Sequence, residues 1–406
     1  MIAPPQNALR YANRFEVSAH MTHARSFLVI CLVGTTLAPS GHAQGAGALP
    51  QWQLSPTPVV RIGEEGDPNR EFQRVVGVVR MPSGEIVVGN AGSQELRVFS
   101  PAGEFLRSIS RRGQGPGELQ NLAVVSRNRD TVFAIEQSPG PSQLHRFTLA
   151  DGFRSRVLLR ATNAPRGVSA SGRLSTSDLL VRPGGFAAVT PPPLGTLQRD
   201  SMTLGVLHVG DPGEVSWLGT FSGNTWYSYN LSTGPVKTTL ARYTLGSSLV
   251  AIASGDRVWV GDTGIGSIRL FDATGKSVGA LTVPFTSRPF SEPALARAKA
   301  RALESANNAD LRSRIEGLYA ADLRPQTTPR FSRLIAGVSG EVWVEAYQED
   351  PGAVTQVVVV SPTGRPIATL TIPPSVTIHE AGADYAVGVE TDSDGIQRIV
   401  QFRLRR

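Results

Sequence analysis

The 406-residue sequence predicts an all-β fold, a six-bladed β-propeller of four-stranded antiparallel blades with a helical insertion near residues 291–323. Three observations predict it. A pattern of strand, turn, strand, glycine turn and strand recurs along the chain. Each recurrence opens on a short run of β-branched and aromatic residues suited to burial on both faces. Glycine- and glutamate-bearing connectors lead from one recurrence into the next. Four-stranded sheets repeated around an axis are the architecture that such a pattern builds.

In chain order, the first element lies outside that fold. Residues 1–43 read as a secretory signal peptide, with Met21 as the expected start of translation. Met21–Arg25 brings one fixed positive charge, Ser26–Ala38 is apolar, and Gly41 and Ala43 are small where a signal peptidase reads. The apolar run is broken by Gly34, Thr35 and Thr36 and falls short of the about 20 residues that a membrane span needs. Cys31, the only cysteine, lies in this run behind Ile30, whereas a lipoprotein signal needs a small residue there. Export to the periplasm or beyond, with cleavage after Ala43, is the expectation. The mature chain would then hold neither disulfides nor thiolate metal sites. Residues 44–57 read as a linker and 58–406 as the propeller.

Four repeats are clear. They open on Glu85–Asn90, Thr131–Glu136, Arg257–Asp262 and Glu341–Glu345. The strands that follow, Leu96–Phe99, Leu144–Phe147, Ile268–Phe271 and Val357–Val360, run into turns carrying Gly103, Gly152, Gly275 and Gly364. Phe105–Ile109, Phe153–Leu159, Val278–Val283 and Ile367–Ile372 leave those turns as third strands. Two weaker copies complete six: Gly185–Val189 with Leu204–Val209, Gly213 and Val215–Phe221, and Tyr385–Val389 with Arg398–Leu404. Innermost strands are expected ahead of the repeats, for example at Val75–Met81, Leu122–Ser126, Leu249–Ser254 and Leu334–Val338. The last repeat is short of an outer strand, so Val59–Ile62 is expected to pair with it and close the ring, which removes an exposed sheet edge.

The string RSISRRGQGPGELQNLAVV, followed by VFAIE and an RF…G turn, resembles the NHL-repeat type of six-bladed propeller. The nearest resemblance is to exported bacterial proteins described only as six-bladed β-propellers, which share the FSRL…EVWVEAY blade and the terminal DYAVGVE…QRIVQFRLRR pair. It covers most of residues 58–406 and is poorest from Ala161 to Gly246. It implies a fold and an exported location, with no activity to carry over.

The formal charge is +7 at pH 7. Arginines supply almost all of the positive charge and are scattered, so a solvated surface is expected and nucleic acid is not a partner. Gly113–Glu118 is glycine-rich, but a strand follows it where a phosphate loop needs a helix N-terminus, and Pro116 removes a donor; it reads as a tight interblade turn. The mature chain keeps His145, His208 and His379, in different repeats and without metal-ligand spacing. No Gly-x-Ser-x-Gly elbow occurs, and no catalytic residue is assigned.

Asn90, Glu136 and Asp262 share one position, the end of the opening strand, where a propeller can converge them near its axis. Lactonase-like propellers hold calcium there with acidic and amide side chains, which makes calcium the one cofactor this set would suit. Ala346 breaks the set in the fourth clear repeat, and Asp or Asn at a strand end commonly ties off a turn. No cofactor is therefore the first expectation.

Ser291–Leu323 reads as one or two helices, with Leu295, Ala298, Ala302 and Leu303 on a face against the propeller. Gly219–Leu245 reads as a loop whose Trp226, Tyr227 and Tyr229 contact a ligand or seal a blade. Two function classes stand. The first is a non-catalytic binding or scaffolding propeller, monomeric and without a membrane span. It would present Asn90, Glu136, Asp262 and the three aromatics on a loop-bearing face to a protein, peptide, glycan or small ligand. The alternative is a metal-dependent lactonase- or esterase-like hydrolase with its site at the central channel. Few histidines and a broken carboxylate set favour binding, and fold alone does not decide.

Overall fold

The structure, a computed structural model, describes residues 48–406 except 138–140, 185–191, 211, 231–237, 244, 305–308, 320–324 and 351. The region read as a signal peptide, with Cys31, and the strand expected at Gly185–Val189 lie outside the described residues.

Six antiparallel sheets follow one another along the chain. Blade one is Val75–Arg80, Ile86–Asn90, Glu95–Phe99 and Phe105–Ser108. Blade two is Leu122–Asn128, Thr131–Glu136, Gln143–Thr148 and Gly152–Leu158. Blade three is Val168–Arg173, Leu179–Pro183, Leu197–His208 and Glu214–Asn230, with Thr238–Arg242 as a fifth strand. Blade four is Leu249–Ser254, Arg257–Asp262, Ser267–Asp272 and Ser277–Thr282. Blade five is Phe331–Ala336, Val342–Ala346, Thr355–Val360 and Pro366–Ile372. Blade six is Val376–Ala381, Tyr385–Thr391 and Gln397–Arg405. The first strand of each blade packs beside the first strand of the next, and Val376–Ala381 returns to Val75–Arg80, so the ring is closed. This is the six-bladed β-propeller read from the repeats.

Closure uses the N-terminal end of the described chain. Val60, Arg61 and Ile62 pair with Gln401, Val400 and Ile399, as the missing outer strand required. Gln53 and Leu54 pair with Arg405 and Leu404, and Trp52 is buried, so part of the stretch read as a linker belongs to blade six.

The core lies between blades. Val87, Leu96 and Val98 of blade one pack with Leu122, Val132 and Phe147 of blade two. Trp259 and Leu270 of blade four pack with Phe331, Val342 and Val344 of blade five. A second strand is therefore covered on both faces, which explains its unbroken apolar run; Ile86–Asn90 is buried throughout. Blades approach closely where that strand carries glycine. A Cβ on Gly89 would sit 2.4 Å from a methyl of Val125 in blade two, and one on Gly261 would sit 2.8 Å from Phe331 in blade five. The turns at Gly103, Gly152, Gly275 and Gly364 all place glycine in the left-handed region, as a type I turn ending in a bulge requires. Gly213 does not share that conformation.

Two blades correct the sequence reading. In blade three the second strand is Leu179–Pro183, and the inner strand Val168–Arg173 had no counterpart in the repeat pattern. Its fourth strand runs on to Asn230, so Trp226, Tyr227 and Tyr229 stand on a strand and not in a loop. In blade six the inner strand is Val376–Ala381. The insertion folds as two helices, Glu292–Glu304 and Ala309–Leu318. Leu295, Ala298, Ala302 and Leu303 pack with Tyr227, Tyr243 and Leu245, which is the face the spacing predicts.

Candidate functional site

Each inner strand forms its ladder with the second strand of its own blade and turns its other edge to the axis, where an isolated bridge joins Gly337 to Ala381. Between those edges lies a channel cavity of about 720 Å³, walled by residues of all six inner strands. Pro82, Arg129, Ser175, Gly255 and Val338 line it, which places it towards the turns joining inner to second strands. Bulges in these strands disturb the regular alternation of side chains, a device common beside functional sites. Ser171, skipped in the pairing between Ala170 and Gly172, and His379, skipped between Ile378 and Glu380, both line the cavity.

The charged groups in the wall are four arginines, Arg127, Arg129, Arg173 and Arg333, and one glutamate, Glu380. Glu380 is fully engaged. Arg127 Nε lies 3.1 Å from its Oε2, and Tyr385 donates a 2.5 Å hydrogen bond to its Oε1. The Arg80 backbone N–H donates to the same Oε1 at 3.1 Å, while Arg127 Nη2 donates to Tyr385 Oη at 3.1 Å. Burial pushes the Glu380 carboxyl up against the opposing pull of Arg127, and burial followed by Glu380 pushes the Tyr385 phenol up. Burial alone would lower Arg127, but Glu380 and Tyr385 hold it above its ordinary value. The three residues form a committed unit at the wall.

The other arginines are less well matched. Arg333 shares Glu345 at 3.5 Å and donates to the Ile378 carbonyl at 3.2 Å. Arg173 lies 4.2 Å over the Phe133 ring and donates to Ser177 Oγ at 2.9 Å, while its buried Nε has no partner. Burial and the neighbouring Arg146 lower the Arg173 guanidinium, and Asp178 opposes them only in part. Asp178 itself is taken by Thr176 and His208. His379 is pushed down to about 4 by burial and by Arg333. Its ring is half-buried and lines the channel, and the imidazole is neutral near pH 7.

Asn90, Glu136 and Asp262 all stand at the opposite end, paired with the first residues of their inner strands, Val75, Leu122 and Leu249. Asn90 Oδ1 accepts the Gln73 N–H, and Glu136 Oε1 accepts those of Gln120 and Asn121. The same side-chain position thus anchors the incoming connector in both blades. His145 Nε2 lies 2.7 Å from Glu136 Oε2. Burial alone would raise Glu136, but the bonds from His145, Gln120 and Asn121 hold its carboxyl below the ordinary range. Asp262 Oδ1 accepts the Gly264 N–H, and its Oδ2 faces Arg199 at 2.6 Å. With their oxygens turned to N–H donors and to a guanidinium, these side chains do not fit a calcium ion. Among the described residues, no three His, Cys, Asp or Glu side chains gather as metal ligands.

Trp226 donates to Asp200 at 2.8 Å, Tyr227 packs under the helices, and the side chain of Tyr229 lies outside the described residues. Glu118 closes Gly113–Glu118 as a tight turn by accepting from Gly115 and pairing with Arg111. Sequence reasoning missed Arg127, Arg173, Arg333, His379 and Glu380. Arg127, Arg173 and Glu380 stand within one residue of the end of an inner strand, but Arg333 is the third residue of its strand, so no shared position in the repeat marked them as a set.

No protein-family model matches the chain, and no curated protein matches it. Solved structures do. A member of the DUF4221 family from Bacteroides vulgatus is 10% identical, with 88% of this chain and 99% of that one covered, at a TM-score of 0.50. A structural-genomics protein of unknown function from Bacteroides thetaiotaomicron is 10% identical over 87% of this chain and 76% of that one, at 0.43. A calcium-binding protein, regucalcin, from Agrobacterium tumefaciens is 10% identical over 87% and 96%, at 0.41. At 10% identity the likeness to the first of these is one of fold. No helix among the described residues is long and apolar enough to cross a membrane.

Proposed function

We propose that this protein is an exported, non-catalytic binding propeller that captures a small molecule in its central channel. The observation that carries the reading is the channel cavity itself. At about 720 Å³ it falls in the range of small-ligand pockets. Its walls are rigid strands, and its polar groups converge from separate blades, as a selective pocket requires. Export rests on the Met21–Ala43 layout. A binding role fits the site better than hydrolysis, because the one carboxylate in the wall is committed to Arg127 and Tyr385.

The test blocks the channel. Ser171 is a bulge residue open to it, so Ser171→Trp should fill the cavity and leave the blades paired. Ligands that co-purify with the protein, or that raise its melting temperature in a metabolite screen, should be lost from Ser171→Trp while its circular dichroism stays unchanged. Ligand binding that persists in a folded Ser171→Trp protein would move the site elsewhere.

A further inference from the structure

Resting on that reading, we infer that the channel's ligand is a small organic anion with at least two anionic groups, of the di- or tricarboxylate type. Arg173 and Arg333 would be its anchors. The argument begins from charge. Four arginines and one glutamate are among the residues that line the cavity, and that glutamate already serves Arg127. Among the described residues, Arg173 and Arg129 make no ion pair, and Arg333 shares a carboxylate only at 3.5 Å.

Arg173 is the sharper case. Its guanidinium carbon lies 4.2 Å over the Phe133 ring of blade two, its Nε is buried without an acceptor, and a second guanidinium, Arg146, stands near enough to repel it. A buried cation without a hydrogen-bonded counter-charge costs free energy in the empty protein, and an anion that enters beside it relieves that cost. The planar guanidinium fork matches carboxylate geometry and gives bidentate hydrogen bonds.

The two anchors lie on inner strands of blades three and five, with the inner strand of blade four between them. One point charge would serve one of them. A ligand with separated anionic groups serves both. His379, neutral near pH 7 and next to Glu380, adds a hydrogen-bonding ring without adding charge. Ser126 contributes a buried hydroxyl on the same wall with no protein partner.

The experiment is isothermal titration of the purified full chain at constant ionic strength. The probes are citrate, succinate, glucose 6-phosphate, glucose and putrescine, tested against wild type, Arg173→Gln, Arg333→Gln and Ser171→Trp. Arg154→Gln, which removes an exposed outer-strand ion pair, is the control. The expected result is one citrate or succinate per chain, with affinity falling about tenfold or more in each channel arginine variant, as loss of a charge-assisted hydrogen bond implies. Arg154→Gln should bind as wild type, and Ser171→Trp should not bind. Glucose 6-phosphate bound in preference would overturn the carboxylate assignment. Binding only of glucose or putrescine, lost in Ser171→Trp, would overturn the anion inference and leave the channel reading intact. Citrate or succinate binding unaffected by Ser171→Trp would overturn both, and so would no binding by any probe.

Discussion

Ile62 lies directly opposite Ile399, and this pairing joins the N-terminal end of the described chain to the last blade. Ile62 is 1% exposed and Ile399 fully buried, both in one core with Val78, Val88 and Phe99 of blade one. Blade six has three strands of its own, so without this partner Gln397–Arg405 would present an open edge.

Deleting residues 48–63 should therefore lower the melting temperature by many degrees and promote aggregation, read by calorimetry and light scattering. Ile62→Ala should cost about 2–5 kcal/mol in a denaturant titration, the range for truncating a fully buried aliphatic side chain. A deletion variant that melts like the intact chain would mean that the ring closes in another way.

Glu136 ties the connector before blade two to the end of its second strand. Glu136→Ala would leave the Gln120 and Asn121 N–H groups and the buried His145 ring without their acceptor. A loss of about 1–3 kcal/mol is expected for a buried donor left unsatisfied. Ligand affinity in the channel should not change. Reduced affinity with unchanged stability would restore Glu136 as a binding residue.

Gly89 is held small by the next blade. Gly89→Ala should destabilise by about 1–3 kcal/mol, as overpacking does. Val125→Ala should recover part of the loss, because the clash is with a Val125 methyl. No recovery in the double variant would mean that the cost arises in the backbone of the strand itself.

His379 sets a pH dependence whose sign follows from its lowered value. Between its ordinary 6.5 and about 4, the unfolded chain binds the proton and the folded chain does not. Stability is therefore complete above pH 6.5 and falls as the pH drops through that window. Arg333 faces the ring and opposes its protonation, while Glu380, next in sequence, is held by Arg127. His379→Gln should flatten the slope of stability against pH between 6.5 and 5, above the range where most carboxylates titrate. An equal slope in the variant would place the titrating group elsewhere.

The blades were legible because a second strand is covered on both faces. Ile86–Asn90 and Val342–Ala346 can be little other than apolar runs, and the glycines that follow mark left-handed turns. The channel was not legible for the converse reason. Inner strands form their ladder on one side and face the axis on the other, so Val168–Arg173 mixes Val, Ser, Ala, Gly and Arg without a period. Bulges at Ser171 and His379 then shift the alternation that would say which side chains enter the cavity. Asn90, Glu136 and Asp262 were visible as an equivalent set. Their work as anchors depends on backbone N–H groups 15 to 17 residues away for Asn90 and Glu136, and on Arg199 for Asp262.

The most direct measurement is a crystal structure of the protein grown with the tightest-binding compound from the titrations. The account predicts that compound inside the ring of inner strands, with its oxygens within hydrogen-bond distance of Arg173 and Arg333 and the Glu380–Arg127–Tyr385 unit unchanged. A ligand seated at the opposite face, among the turns that carry Asn90, Glu136 and Asp262, would contradict it.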